Sequence, residues 1–555
     1  WRSVIGFDKQ DGQFAPLEDG LPSPSSHEDG LPSPSKQEDG SLGSSNQTVT
    51  AWEGHPTGKP FPALFGKTGR WRSACRSFCS IAALGLSLAL AAKQGRAQEP
   101  AYLGSERCLD CHTQPGPRRE RDGATDWVKL TEAHTWLEID KHSLAFDVLK
   151  GERSQTMSKR LGYDVSQDDR CLSCHAGVVK EHPRPKGREL ELGVSCEACH
   201  GPSSLYDLPH TSASWRAKSA QEKAALGMID VRDPLPNSEQ CLSCHVGNAA
   251  EGKVLTHSMY AAGHPPLPSF EAATFAQSMP PHWRRLKDKG DRVRADAELQ
   301  RISHEAGGEI PEVRSVVIGG VAALRASLRL LVDRRTADQA TGGWPDFAQY
   351  DCATCHHELE LPSWRQKRTT GRRPGELLPP AWPTVLAELA AHEIERHDAA
   401  LGKRLAAEFQ AALIGELPDL GAVLAAIDQM LPALEKLPYN EAAAEALLGD
   451  LCQSGQRPDL DFDSARQVGW AFEAIYSAVF GEPIDGSQKA DLARLRRLLA
   501  LDLPATRDKA ILDRARQRRM FEAIGDFQPG QKQEVGRIFA SLARRLPSDT
   551  ARGRN

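Results

Sequence analysis

Apolar residues recur at helical spacing in three stretches of the second half of the chain. Val313, Val317, Val321, Leu324, Leu328 and Leu331 form one stripe, and Leu401, Leu405, Phe409 and Ala412 a second. Val468, Phe472, Ile475 and Val479 form a third, in a helix predicted from near Asp463 to Gly481 with Pro483 beyond its end. The first stripe predicts an amphipathic helix. The Pro-rich, basic stretch LPSWRQKRTTGRRPGELLPP then marks a boundary, and the Ala/Leu/Arg/Glu-rich remainder reads as several more helices. No such period runs from Ala101 to about Trp283. Pro and Gly recur there (HPRPKG at 182–187, GPSS at 201–204), so short helices and many loops are expected. Residues 284–310 are charged and read as an exposed linker. The expected fold class is mainly α, with an all-α C-terminal region.

One apolar run has a different character. Phe78 to Ala92 follows the basic stretch KTGRWRSACR and precedes Gly95-Arg96-Ala97, the three-part order of a secretory signal peptide over 67–97, cut before Gln98. The run is short of the roughly 20 residues that a membrane span needs. Residues 1–66 repeat EDGLPSPSSH, EDGLPSPSKQ and EDG, a composition that cannot build a core. No methionine precedes Met157, so translation is expected to start near the basic stretch, at a non-Met codon such as that of Leu64.

A net charge of -5 and 40% apolar residues point neither to nucleic acid nor to an unusual surface. Cysteine changes the picture. Of thirteen cysteines, Cys75 and Cys79 lie in the leader, and Cys452 stands alone and reads as a small buried apolar residue. The rest form five C-x-x-C-H units: Cys108–Cys111–His112, Cys171–Cys174–His175, Cys196–Cys199–His200, Cys241–Cys244–His245 and Cys352–Cys355–His356. Two thiols one helical turn apart reach the two vinyl groups of one haem, and the following histidine lies under the iron as proximal ligand. Paired C-x-x-C units also build zinc ribbons, but a ribbon does not require His after every second Cys, and all five pairs have it. Five covalent haems c are the expected cofactors.

With six methionines in all, histidine is the expected sixth ligand. His142, His210, His257 and His264 are the first candidates, followed by His134 and then His282. His357, beside a proximal ligand, is left to a neighbouring haem at most. His392 and His397 read as surface residues. Residues 371–555 carry no nucleotide loop, H-E-x-x-H or G-x-S-x-G motif.

The runs RCLSCHAG, GVSCEACHGP followed by His210, CLSCHVGN, THSMYAAGHPP and PPHW, with DKHSLAFDVL upstream, resemble the cytochrome c-554 type of multihaem cytochrome over roughly residues 104–285. The resemblance implies haems stacked in close pairs, mostly bis-histidine ligated, one of which keeps an open distal position. It also implies electron transfer between periplasmic redox partners. The fifth motif and about 200 residues without a motif depart from that four-haem pattern. Pentahaem nitrite reductases share the haem number, but their catalytic C-x-x-C-K is absent here. The expected organisation is 98–283, a four-haem cytochrome domain; 284–370, linker, helix and fifth haem site; and 371–555, a helical region that either docks a partner or caps the haem domain. The expected function is electron carriage in the periplasm between periplasmic or membrane-bound redox proteins, with no catalytic residues. The alternatives are an enzyme acting on a small nitrogen or sulfur compound at one five-coordinate haem, and a subunit of a larger cytochrome assembly.

Overall fold

The computed structural model describes residues 99–546 apart from 115–125, 178–187, 297–307, 342–344, 353–354, 357–376, 415–419, 482–484, 504–526 and 528. The expected leader, the repeat before it and His357 lie outside the described residues. Those described are mainly α-helical and hold no sheet, only the isolated bridge between Asn248 and Lys253.

The motif region is built from short pieces: α1 (Glu106–His112), α2 (Glu132–Glu138), α3 (Glu152–Leu161), α4 (Asp169–His175), α5 (Cys196–His200), α6 (Pro234–His245), α7 (His257–Ala262) and α8 (Ala272–Ser278). Four of them end on a motif histidine. α9 (Pro311–Thr341) follows, then α10 (Trp382–His397), α11 (Ala399–Ile414), α12 (Leu420–Leu434), α13 (Glu441–Ser454), α14 (Phe462–Phe480), α15 (Gly486–Leu499) and α16 (Pro529–Ala543).

α9 differs from the amphipathic helix expected of its stripe. Val316, Ile318, Ala322, Ala323 and Leu330 are buried as well as the stripe residues, so several faces are covered. It is long and apolar enough to cross a membrane by length and composition, yet 67% of its most apolar window is buried in the protein. It packs against α6 and α8 of the motif region and against α10, α12 and α14. Gly319 and Gly320 make this possible: a Cβ on the first would overlap Ala272 and on the second Leu386. Two glycines inside a helix cost about 1 kcal/mol each, which the close approach on two sides offsets. One apolar cluster therefore runs from Ala273 through α9 into α10 to α16. The core does not respect a boundary near residue 370.

Candidate functional site

Each motif is shaped locally before it meets its neighbours. The Asp168 carboxylate caps α4 by accepting from Arg170 N–H, and Asp233 caps α6, with Pro234 in its first turn. The two cysteines and the histidine thus fall on a single turn. In the fifth motif the His356 amide donates to the Cys352 carbonyl at 2.8 Å, which makes the same turn.

Every motif histidine faces a second histidine. The ring centroids of His112 and His210 are 6.2 Å apart, those of His142 and His245 6.4 Å, and those of His175 and His264 6.3 Å. His200 and His282 are 6.4 Å apart, and His257 and His356 6.3 Å. This common spacing also fits a shared metal. Two metal–imidazole bonds of about 2.0 Å in line, plus the two rings, separate centroids by roughly 6.3 Å. Among the described residues no group of three or more His, Cys, Asp or Glu is arranged around one ion. The residues fit five haems, each between two imidazoles.

The rings are oriented from behind. Nδ1 of His112 meets the Glu132 carboxylate at 3.0 Å and that of His142 meets Asp140 at 2.9 Å. Nδ1 of His175 donates to the Ala145 carbonyl (2.8 Å), of His210 to Tyr206 (2.9 Å) and of His264 to Pro265 (2.7 Å). With Nδ1 engaged, coordination falls to Nε2. Burial pushes the carboxyls of Glu132 and Asp140 up, but hydrogen bonds from His112 and His142 outweigh it and hold both below the usual range. Burial, with His282 and His112 nearby, lowers His200 to about 4, which keeps it in the neutral form that binds metal.

The motifs touch in a fixed order. The Cys108 thiol neighbours that of Cys196, and the Cys174 thiol that of Cys244. The residues between the motif cysteines do the joining. Glu197, 5% exposed, accepts from the amides of Leu103 (3.1 Å), Gly104 (2.7 Å) and Ser203 (2.8 Å), and so clamps the first motif to the third. Ser173 donates to the Gly252 carbonyl at 3.3 Å, and Ser243 bonds both Glu251 and the buried Lys253, which ties the second motif to the fourth through one loop. α7 links the second to the fifth. Thr256 caps its start and Gly263, at φ 125°, ends it, so His257 and His264 emerge at opposite ends toward His356 and His175. The Asp346 carboxylate holds the His257 amide at 3.1 Å.

The structure thus brings His142, His210, His257 and His264 each to one motif histidine. It reverses the order of the last two candidates. His134 is exposed on α2, whose buried side carries Ala133 and Trp136, and it is in none of the five pairs. His282, in the loop after α8, faces His200. None of the five motif histidines lacks a facing ring, so the open distal position that the resemblance implied has no counterpart. His392 and His397 are exposed on α10, and Cys452 is fully buried, its thiol pushed up to about 12 by burial. The roles of Glu197, Ser173 and Ser243 were missed in the sequence, because the two positions inside C-x-x-C-H carry no pattern of their own.

The second and fourth motifs open on one cavity of about 1840 Å3, lined by Cys171, Cys174, Cys241 and Cys244 and closed by residues of α14 and α15. Pockets for single small molecules span about 300–1,000 Å3, so this one has room for two large groups.

The family model described as cytochrome c554 and c-prime matches residues 107–201. Cytochrome c-554 of Nitrosomonas europaea is 24% identical over 180 residues, which cover 67% of that protein and 30% of this chain. No solved structure matches. Residues 107–201, with the first three motifs and His142, match the cytochrome c554 and c-prime family model, and this similarity supports a c-type cytochrome with covalently bound haem c.

Proposed function

We propose that the chain holds five haems c, each on two thioethers and two histidines, and carries electrons between periplasmic or membrane-bound redox partners. The observation that carries this reading is the set of five histidine pairs with one common separation, 6.2 to 6.4 Å. The ligand sets are His112/His210, His175/His264, His200/His282, His245/His142 and His356/His257. A haem with both axial positions filled by imidazole exchanges electrons without binding a substrate, and the absence of methionine ligands keeps its potential low. The contacts between motifs give the electrons a route. First and third motifs adjoin, second and fourth adjoin, and α7 extends the row from second to fifth. Export to the periplasm is supported by the order of charged, apolar and small residues over 67–97.

Pyridine haemochrome should return about five haems per chain, and EPR with resonance Raman should show only low-spin bis-histidine iron. A high-spin signal from one haem of the five would overturn the carrier reading and favour an enzyme.

A further inference from the structure

Helix α14 carries a guanidinium group into the apolar core. Arg466 is 4% exposed, 4.4 Å from the Trp470 ring and 5.5 Å from that of Phe462. It donates to the Ala500 carbonyl at 3.2 Å and stands 3.6 Å from Asp463. A cation so placed is costly unless anions face it. Its surroundings lead to the fourth motif. The Trp470 ring meets Phe275 at 5.6 Å, and Phe275 and Phe270 meet His245 at 5.6 and 5.2 Å. Ser269 donates to Asp463 at 3.0 Å and Thr274 to the Trp470 carbonyl at 3.3 Å, which fastens α14 to that same segment.

Arg466 also lines the cavity shared by the second and fourth motifs, together with Arg496 and Arg497 of α15. Arg496 is held by Glu473 at 2.8 Å. Leaving His and Cys aside, the described lining carries eight basic side chains against four acidic ones. Four of those basic groups also pair with carboxylates off the lining, Arg170 with Asp168, Lys253 with Glu251, Arg496 with Glu473 and Arg466 with Asp463. Two haems c would bring two propionate carboxylates each, further anions for the same basic wall. We infer that the C-terminal helices are a wall of the haem cavity, in which Arg466, assisted by Arg497, pairs with propionates of the haem at Cys241 and Cys244 and raises its reduction potential. The inference rests on the five-haem reading above. A nearby cation favours the state that carries the extra electron, so its removal lowers the midpoint.

The test is a spectroelectrochemical titration of the full haem-loaded protein and of Arg466→Gln, Arg497→Gln and Arg494→Gln, each after a pyridine haemochrome count. Arg494 lies on α15 too, but is paired with Glu534 at 2.7 Å and is not on the lining. The expected result is a haem count equal to that of the parent protein in every variant. One transition then moves to more negative potential in Arg466→Gln and by less in Arg497→Gln, while Arg494→Gln superimposes on the parent. Fewer than five haems in the parent protein would sink the five-haem reading, and the inference with it. Full haem content with unchanged midpoints would sink the inference alone. So would a displacement that Arg494→Gln shares. If Arg466→Gln does not fold, Arg497→Gln decides: a shift supports the pairing and no shift overturns it.

Discussion

Residues 311–341 and 377–546 bury their apolar side chains in one continuous cluster spanning eight helices, whereas residues 99–283 hold two small satellites. One of these gathers Phe146, Leu149, Met157, Val165, Leu172, Ala176 and Ala262; the other joins Leu242, Phe270 and Ala272 to α9. Both regions are helical and they share α9 as a partition, yet only one is filled by its own side chains. In the motif region the walls face the cavity of the second and fourth motifs and the histidine pairs. On the five-haem proposal, porphyrin faces would supply there the apolar area that a globular domain of that length needs. The second half reads as periodic stripes because its helices pack on each other. The first half has no stripes because its helices pack on something the sequence only names through cysteine and histidine.

That comparison breaks first, and most widely, if cofactor is withheld. In chain produced without haem attachment, hydrogen exchange should become fast across residues 101–283 while α9 and α14 stay protected; equal protection in both halves would contradict the contrast. Next in size is truncation inside the large cluster. Phe472→Ala, at a fully buried ring, should lower stability by about 3–5 kcal/mol, read from thermal unfolding in the far ultraviolet, with the Soret band of the folded protein unchanged. Smaller is the effect of Glu197→Gln. It removes a carboxylate that accepts three backbone amides between the first and third motifs, so a loss of about 1–3 kcal/mol is expected, with a Soret change at haems one and three before global melting.

Comparable in size is a pH slope within the helical half. Burial pushes the Glu473 carboxyl from 4.5 up to about 7, outweighing the opposed pull of Arg496, while Asp502 reinforces it. Between those values the folded chain keeps a proton that the unfolded chain releases, so stability falls as pH rises from about 4.5 to about 7 and levels off above. Glu473→Gln should flatten that decline, worth about 3 kcal/mol over the whole window. An unchanged slope in denaturant titrations across this window would show that the carboxyl titrates elsewhere.

The C-x-x-C-H cysteines and histidines were legible as candidates because haem attachment demands a fixed local spacing. Four of the facing histidines were legible as candidates because they cluster among the motifs. Their partners were not, since His142 meets His245 and His257 meets His356 across roughly a hundred residues, and nothing local encodes that. His134 looked better than His282 because it sits in a helix-like stretch near a motif. The face of that helix decides the matter, and Trp136 takes the buried side. His282 lies in a Pro-rich loop with no period to mark it. For α9 the six-residue stripe was visible, but Gly319 and Gly320 carry no apolar signal although they let two neighbours approach. Arg466, two residues before the first stripe residue of α14 and off that stripe, becomes intelligible only when the cavity beside it is known.

The thiol contacts between motifs have a consequence for how the molecule is made. Cys108 lies beside Cys196, and Cys174 beside Cys244, with no disulfide between them. In an oxidising compartment such neighbours are candidates for disulfides, and a disulfide here would consume one attachment point from each of two haems. The adjacency that serves electron transfer in the finished protein is therefore a hazard during its assembly. Haem has to be joined to these cysteines while the chain is still open, before folding draws the motifs together.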